Sequence, residues 1–129
     1  LDKNKPSYVG GILEMSNNRL YPFWNNLEEG LKTGKPQNEV KNGDKPLFET
    51  IYADPQKLKE FIHAMGGVQA GNFMMFANHF DFSNHHVLCD IGGSGANLSI
   101  HIAKNNPHMK CISFDLPPVY PIATENVFK

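Results

Sequence analysis

The chain has 129 residues, 40% of them hydrophobic, and 12 basic against 13 acidic side chains for a formal net charge of −1. That length supports one domain-sized core, and the balanced charge argues against nucleic acid as a partner. No run approaches the ~18 consecutive apolar residues of a spanning helix, so no membrane partner is expected.

Leu1 opens the chain with no basic-then-apolar leader behind it, so no signal peptide is expected. Two cysteines, Cys89 and Cys111, are too few for a disulfide scaffold. A reduced, cytoplasmic protein is the expectation. The sequon Asn97-Leu98-Ser99 falls where a buried turn is predicted, which discounts a glycan there. No internal repeat or low-complexity tract stands out.

Leu20, Trp24, Leu27 and Leu31 recur at i, i+4, i+7 and i+11, which predicts one face of a helix that Gly34 and Pro36 stop. Lys35 to Pro46, rich in Gly, Pro, Asn and Lys, reads as a loop. A second helix should start at Asp54, an N-cap residue followed by Pro55 at the first helical position. Leu58, Phe61, Ile62 and Met65 form its apolar stripe, and Gly66-Gly67 is expected to end it. A third helix is predicted over most of Ala70 to Phe82, a block rich in Phe and Met.

The pattern changes near residue 85. His86 to Ile91 is a short, mostly apolar run that ends in Gly92-Gly93-Ser94-Gly95, as a buried strand entering a glycine turn would. Leu98, Ile102 and Ala103 then mark a short amphipathic helix, closed by Asn105-Asn106-Pro107, and Met109 to Phe114 reads as a second strand. Strand, turn, helix and strand make one βαβ unit, whose two strands should be parallel.

The chemistry is concentrated in Asp90, Gly92, Gly93, Ser94, Gly95 and Asp115. Glycines let a backbone turn sharply and approach a ligand closely. The next helix aims its free N–H groups and partial positive charge at that ligand. Asp115 lies 23 residues after Gly92, at the carboxyl end of the neighbouring strand. Open α/β sheets bind ligands there, and an acid ~20 residues after the turn suits ribose hydroxyls.

Two cofactor classes compete for this geometry. A dinucleotide wants a G-x-G-x-x-G pyrophosphate cradle. Here Gly93-Ser94-Gly95 supplies only G-x-G, and Leu98 holds the third glycine position. S-adenosylmethionine carries no phosphate, so an acid, a bend of small residues and a ribose acid suffice. The sequence favours the second class. The bland alternative is a small-residue turn that binds nothing, and Asp115 at the matching strand end weighs against it.

Asp90-Ile91-Gly92-Gly93-Ser94-Gly95-Ala96-Asn97-Leu98, followed by Phe114-Asp115-Leu116-Pro117-Pro118-Val119, resembles the S-adenosylmethionine-dependent O-methyltransferases of the plant caffeic-acid type and their bacterial relatives. The helix with Trp24 and Leu27, and Asp54-Pro55 followed by Phe61 and Ala64-Met65, resemble the family's preceding segment. The resemblance implies that Gly92 touches the cofactor's methionine end, that Asp115 binds its ribose, and that Phe61 and Met65 line an acceptor pocket. The family's usual D-x-G-G-G-x-G is altered, with Ser94 at its middle glycine and Ala96 at its last.

The fold expected is therefore α/β: a helical segment followed by the first βαβ of a Rossmann-like S-adenosylmethionine methyltransferase fold, with an incomplete sheet. Residues 1–84 form a helical, acceptor-side segment and residues 85–129 the start of the cofactor-binding domain. Candidate cofactor-binding residues are Asp90, Gly92, Gly93, Ser94, Asp115 and Leu116; candidate acceptor-binding residues are Phe61 and Met65. No catalytic residue and no metal ligand is assigned. The family's basic histidine lies well past its second strand, and no histidine follows His108 here. The chain is thus expected to be part of a larger, homodimeric enzyme acting on a small aromatic hydroxyl acceptor, and inactive alone.

Blander expectations stand beside these. His63, His79, His85, His86, His101 and His108 lack metal-ligand spacing. Cys89 and Cys111, in adjacent strands, are expected to be buried thiols packed as small hydrophobes. Core packing is the stronger expectation for the Phe73–Phe82 block. The same holds for Phe61 and Met65 on spacing alone.

Overall fold

The computed structural model describes residues 2–5, 7–43 and 45–129; Leu1, Pro6 and Asp44, the last within the predicted loop, lie outside it. Helix α1 (Gly11–Met15) runs on through a π turn (Ser16–Leu20) and a 3-10 stretch (Tyr21–Asn26) into α2 (Leu27–Thr33). Gly34 ends α2 in the left-handed conformation (φ 66°), its N–H donating to Gly30 O at 2.9 Å. The predicted stop is therefore real, but the predicted face is not. The π and 3-10 turns advance the chain by other angles than the α-helix does, so residues at i, i+4 and i+7 no longer line up. Trp24 is 66% exposed and Leu31 78%, with Leu27 exposed between them.

Helix α3 (Leu47–Tyr52) follows the loop and was not foreseen. Helix α4 (Pro55–His79) starts where expected, with Asp54 accepting from the N–H groups of Gln56 at 3.0 Å and Lys57 at 3.2 Å. It does not end at Gly66-Gly67. The predicted second and third helices are one helix of 25 residues. The two glycines are crossing points. A Cβ on Gly66 would lie 2.5 Å from Asn97 Nδ2, and one on Gly67 would lie 3.0 Å from Tyr8 O. The Asn97 side chain packs on Gly66 and the Tyr8 backbone on Gly67, so a Cβ at either position has to displace its neighbour.

Strands β1 (Val87–Ile91) and β2 (Lys110–Phe114) pair in parallel, Val87 opposite Lys110 and Ile91 opposite Phe114, and α5 (Asn97–Asn105) connects them. A 3-10 turn (Pro117–Val119) leads into α6 (Tyr120–Val127), a helix not foreseen in the sequence.

Two apolar clusters hold these elements. Ala77 of α4, Phe82, Ile102 of α5 and Met109 form one, with Leu88, Leu98 and Cys111 packed on it. Leu58 and Ile62 of α4 join Val119 in the other, flanked by Tyr52, Ile122 and Ala123. The Asn106 side chain ties the ends of α5 and α4 by donating to Ala77 O at 3.0 Å. The expectation of a packed Phe/Met block holds only in part. Ala77 and Phe82 are buried, whereas Met74, Met75, Phe76 and Phe80 are exposed, because only one side of the distal half of α4 meets α5 and the sheet.

The sheet is covered on one face. Leu88 and Cys111 point toward the first cluster, while Val87, Ile91, Ile112 and Phe114 are exposed. Cys89 pairs with Ile112 and follows the pleat to the open face, so it is exposed and not the buried thiol expected. Among the described residues, no helix is long and apolar enough to cross a membrane.

Candidate functional site

β1 ends at the Asp90-Ile91 pair, and the chain then bends through residues 92–96 before α5 begins. Gly92 takes φ 77°, a conformation that glycine reaches without strain. At Gly93 the constraint is space. The Ser113 hydroxyl occupies the place where a Cβ would stand, and Asp90 Oδ2 is 3.1 Å from it. The N–H groups of Gly92 and Gly93 both donate to Phe114 O, at 2.8 and 3.1 Å. The bend is thus stitched to the end of β2.

Asp115 completes that stitching. Its Oδ2 accepts from the Ser94 N–H at 2.8 Å and its Oδ1 from the Leu116 N–H at 2.7 Å. An acid predicted from sequence spacing to face the glycine bend is bonded to it. Ser94 and Ala96 both lie in the left-handed region, at φ 51° and 60°. These are the two positions at which this sequence departs from the glycine-rich pattern. Ser94 Oγ is buried without a hydrogen-bond partner, a polar group that a ligand can satisfy.

A cavity of about 540 Å³ opens in front of this bend, within the range of small-molecule sites. The eight candidate binding residues line it: Asp90, Gly92, Gly93, Ser94, Asp115 and Leu116 from the βαβ unit, Phe61 and Met65 from α4; Gly95, also singled out from the sequence, is buried behind the bend and does not. Leu58 and Ile62 share the stripe of Phe61 and Met65 but are buried in the core, while Phe61 and Met65 are half-buried on the cavity side. The core expectation for the latter two fails for that reason.

Apart from Phe73, in a block for which core packing was the stronger of two expectations, sequence reading missed the rest of the wall. Phe48 and Tyr52 of α3, Gln69 and Phe73 of α4, and Asn97 of α5 also face the cavity. Phe48 stands edge-on to Tyr52 and to Phe61, with ring centroids 6.0 and 6.1 Å apart. The signal for α3 was present as two i, i+4 pairs, Leu47 with Ile51 and Phe48 with Tyr52. Six residues are too few for that periodicity to stand out.

Among the described residues, the charges on the wall are those of Asp90 and Asp115, and no Lys or Arg lines the cavity. Burial, and then the negative charge of Asp115, hold the Asp90 carboxyl above its ordinary value. The same two causes, in the same order, raise the Tyr52 phenol. The wall is therefore electronegative at the bend and aromatic opposite it. It suits a ligand with a cationic end and a hydroxyl-bearing middle, and does not suit an uncompensated pyrophosphate.

A parallel βαβ unit with a ligand-sized crevice at the carboxyl ends of its strands defines the class as an open-sheet α/β protein. Residues 24–129 match the O-methyltransferase domain family, and the chain belongs to it. The tetracenomycin polyketide synthesis 8-O-methyl transferase TcmO of Streptomyces glaucescens is 35% identical over 127 residues, covering 98% of this chain and 36% of that protein. The crystal structure of human N-acetylserotonin methyltransferase in complex with SAM superposes with a TM-score of 0.78 at 25% identity, over 97% of this chain and 37% of that one. PigF with SAH gives a TM-score of 0.82 at 23% identity, over 98% and 38%, a likeness of fold. The chain thus spans little more than a third of the length of these relatives.

Proposed function

We propose that this chain supplies the cofactor-gripping part of an S-adenosylmethionine-dependent O-methyltransferase whose acceptor is a hydroxyl on a small aromatic molecule. One observation carries the reading. Asp115 is bonded across to the glycine bend on the rim of a cavity whose charged groups are carboxylates and whose far wall is aromatic. Asp115 and Leu116 would hold the ribose side, the bend from Gly92 to Ser94 the amino-acid end, and Asp90 the cationic charge beside it. Phe61 and Met65, extended by Phe48 and Phe73, would stack a flat acceptor. TcmO, by its name, methylates an oxygen of a polyketide, which supports an acceptor of this kind.

When bound, the cofactor supplies an electrophilic methyl group on a positively charged sulfur. The chain's own residues contribute position. α4 carries Phe61 and Met65 to the same cavity that Gly92 and Gly93 line, so these residues would hold acceptor and methyl donor side by side. With donor and acceptor bound, the chemistry supplied would be transfer of that methyl to the acceptor oxygen with loss of the hydroxyl proton to a base, and this chain's part would be to hold the two in line. Among the described residues, no histidine lines the cavity. We assign this chain no general base, so it is not expected to turn over alone. The acceptor-side role falls to residues 1–84 and the cofactor-side role to residues 85–129, in a homodimeric, cytoplasmic parent enzyme.

Calorimetric titration of the chain with S-adenosylhomocysteine and with NAD tests this. The expected result is binding of S-adenosylhomocysteine and weaker or no binding of NAD. Tighter binding of NAD reverses the choice of cofactor. A folded sample that binds neither reduces the bend to a scaffold.

A further inference from the structure

Ser94 and Ala96, both left-handed, bracket Gly95. Non-glycine residues persist in that region only where their surroundings over-determine them. Two of the restraints are already described or local to the bend. Asp115 takes the Ser94 N–H, and Gly93 O takes the Ala96 N–H at 2.9 Å. The third comes from the far end of the chain, where Asn126 Nδ2 of α6 donates to Gly95 O at 3.0 Å across a separation of 31 residues.

The packing shows that this contact is built. Gly95 is buried, and a Cβ placed on it would lie 2.8 Å from Asn126 Nδ2 and 2.8 Å from Ile62 Cγ2, with Asn97 Nδ2 at 3.2 Å. Side chains from α4, α5 and α6 therefore converge on one Cα. α6 is held independently of Asn126, because Ile122 and Ala123 pack on the cluster of Leu58, Ile62 and Val119. Asn126 does not line the cavity in front of the bend; it grips the bend from behind.

We propose that Asn126 is a positioning residue for the cofactor: by holding Gly95 O it fixes the strained bend in the shape that receives the amino-acid end of the ligand. This rests on the reading of the bend given above. It predicts a selective loss. S-adenosylhomocysteine has both the amino-acid end and the ribose, whereas methylthioadenosine keeps the ribose and lacks the amino-acid end. Asn126→Ala should weaken S-adenosylhomocysteine about tenfold, the worth of one hydrogen bond, and leave methylthioadenosine within about twofold.

The test titrates both ligands into the wild-type chain, Asn126→Ala and Asn126→Asp, with Val127→Ala as the control on the same helix. Asn126→Asp keeps the size and removes the donor, and it decides the matter if the alanine variant fails to fold by circular dichroism. Selective loss of the longer ligand supports the assignment. Equal loss of both ligands, no loss, or the same loss in Val127→Ala overturns it while the cofactor reading stands. A wild-type chain that binds neither ligand overturns both.

Discussion

At the scale of single residues, the bend carries its cost openly. A left-handed Ser or Ala costs on the order of 1–2 kcal/mol each, and Ser94 and Ala96 both take that cost. The Ala96 methyl offsets part of it, since it is buried and each such carbon returns about 0.8 kcal/mol. Ser94 has no such return, because its hydroxyl is buried without a partner. Asp90 adds an electrostatic cost. Burial first, and Asp115 second, raise its carboxyl above the ordinary value of 3.8. The folded chain then keeps this proton to higher pH than the unfolded chain does. The contribution to stability is complete below 3.8 and is lost as pH rises through the raised value. A ligand with an ammonium group favours the ionised form, so its affinity should grow over the same window. S-adenosylhomocysteine should therefore bind more tightly as pH rises from 3.8 through the raised value of Asp90, with a shallower slope in Asp90→Asn, which should also melt higher at neutral pH. Identical slopes in the two proteins would show that Asp90 does not face the ligand's charge.

At the scale of elements, the glycines of α4 separate two roles that look alike in sequence. Gly71 has open space where a Cβ would go, whereas Gly67 has the Tyr8 carbonyl 3.0 Å away and Gly66 has Asn97. In an exposed helix interior, alanine is better than glycine by ~1 kcal/mol. Gly71→Ala should gain about that much in urea denaturation. Gly67→Ala should lose stability despite the same gain in propensity, because the backbone of Tyr8 has to move. Equal gains at both sites would mean that the N-terminal segment is not seated on α4. The same contacts explain why α4 was misread as two helices: Gly66-Gly67 is a good helix terminator by local rules, and only a neighbouring chain reveals it as a crossing. The βαβ unit, by contrast, was legible because its signals are local. Apolar runs, a bend of small residues and a closing Asn-Asn-Pro sit at fixed offsets along the chain. The cavity's glycine side and Asp115 came with that unit. Its aromatic wall did not, since α3 is too short to show a period, and Asn126 carries no mark until α6 is seen beside Gly95.

At the scale of the whole molecule, the two-stranded sheet leaves its largest debt on the surface. Its open face exposes Val87, Ile91, Ile112 and Phe114, and among the described residues each strand has one edge without a partner strand. Parallel sheets are ordinarily covered on both faces, and a pair of strands alone is marginal in water. Trp24, Leu27 and Leu31 are further exposed apolar side chains, on the N-terminal helices. Apolar area buried at ~25 cal/mol per Å² makes covering such a face with a second copy favourable. The purified chain should therefore elute from size exclusion as a dimer or larger species, dissociating on dilution. Ile112→Lys places a charge in the centre of the open face, on a residue that neither apolar cluster uses. It should shift the chain toward the monomer with little loss of helical signal. Association that survives this substitution but is lost in Leu31→Lys would assign the contact to the N-terminal helices. A wild-type chain that runs as a compact monomer at high concentration would show that the open face is tolerated in water as it stands.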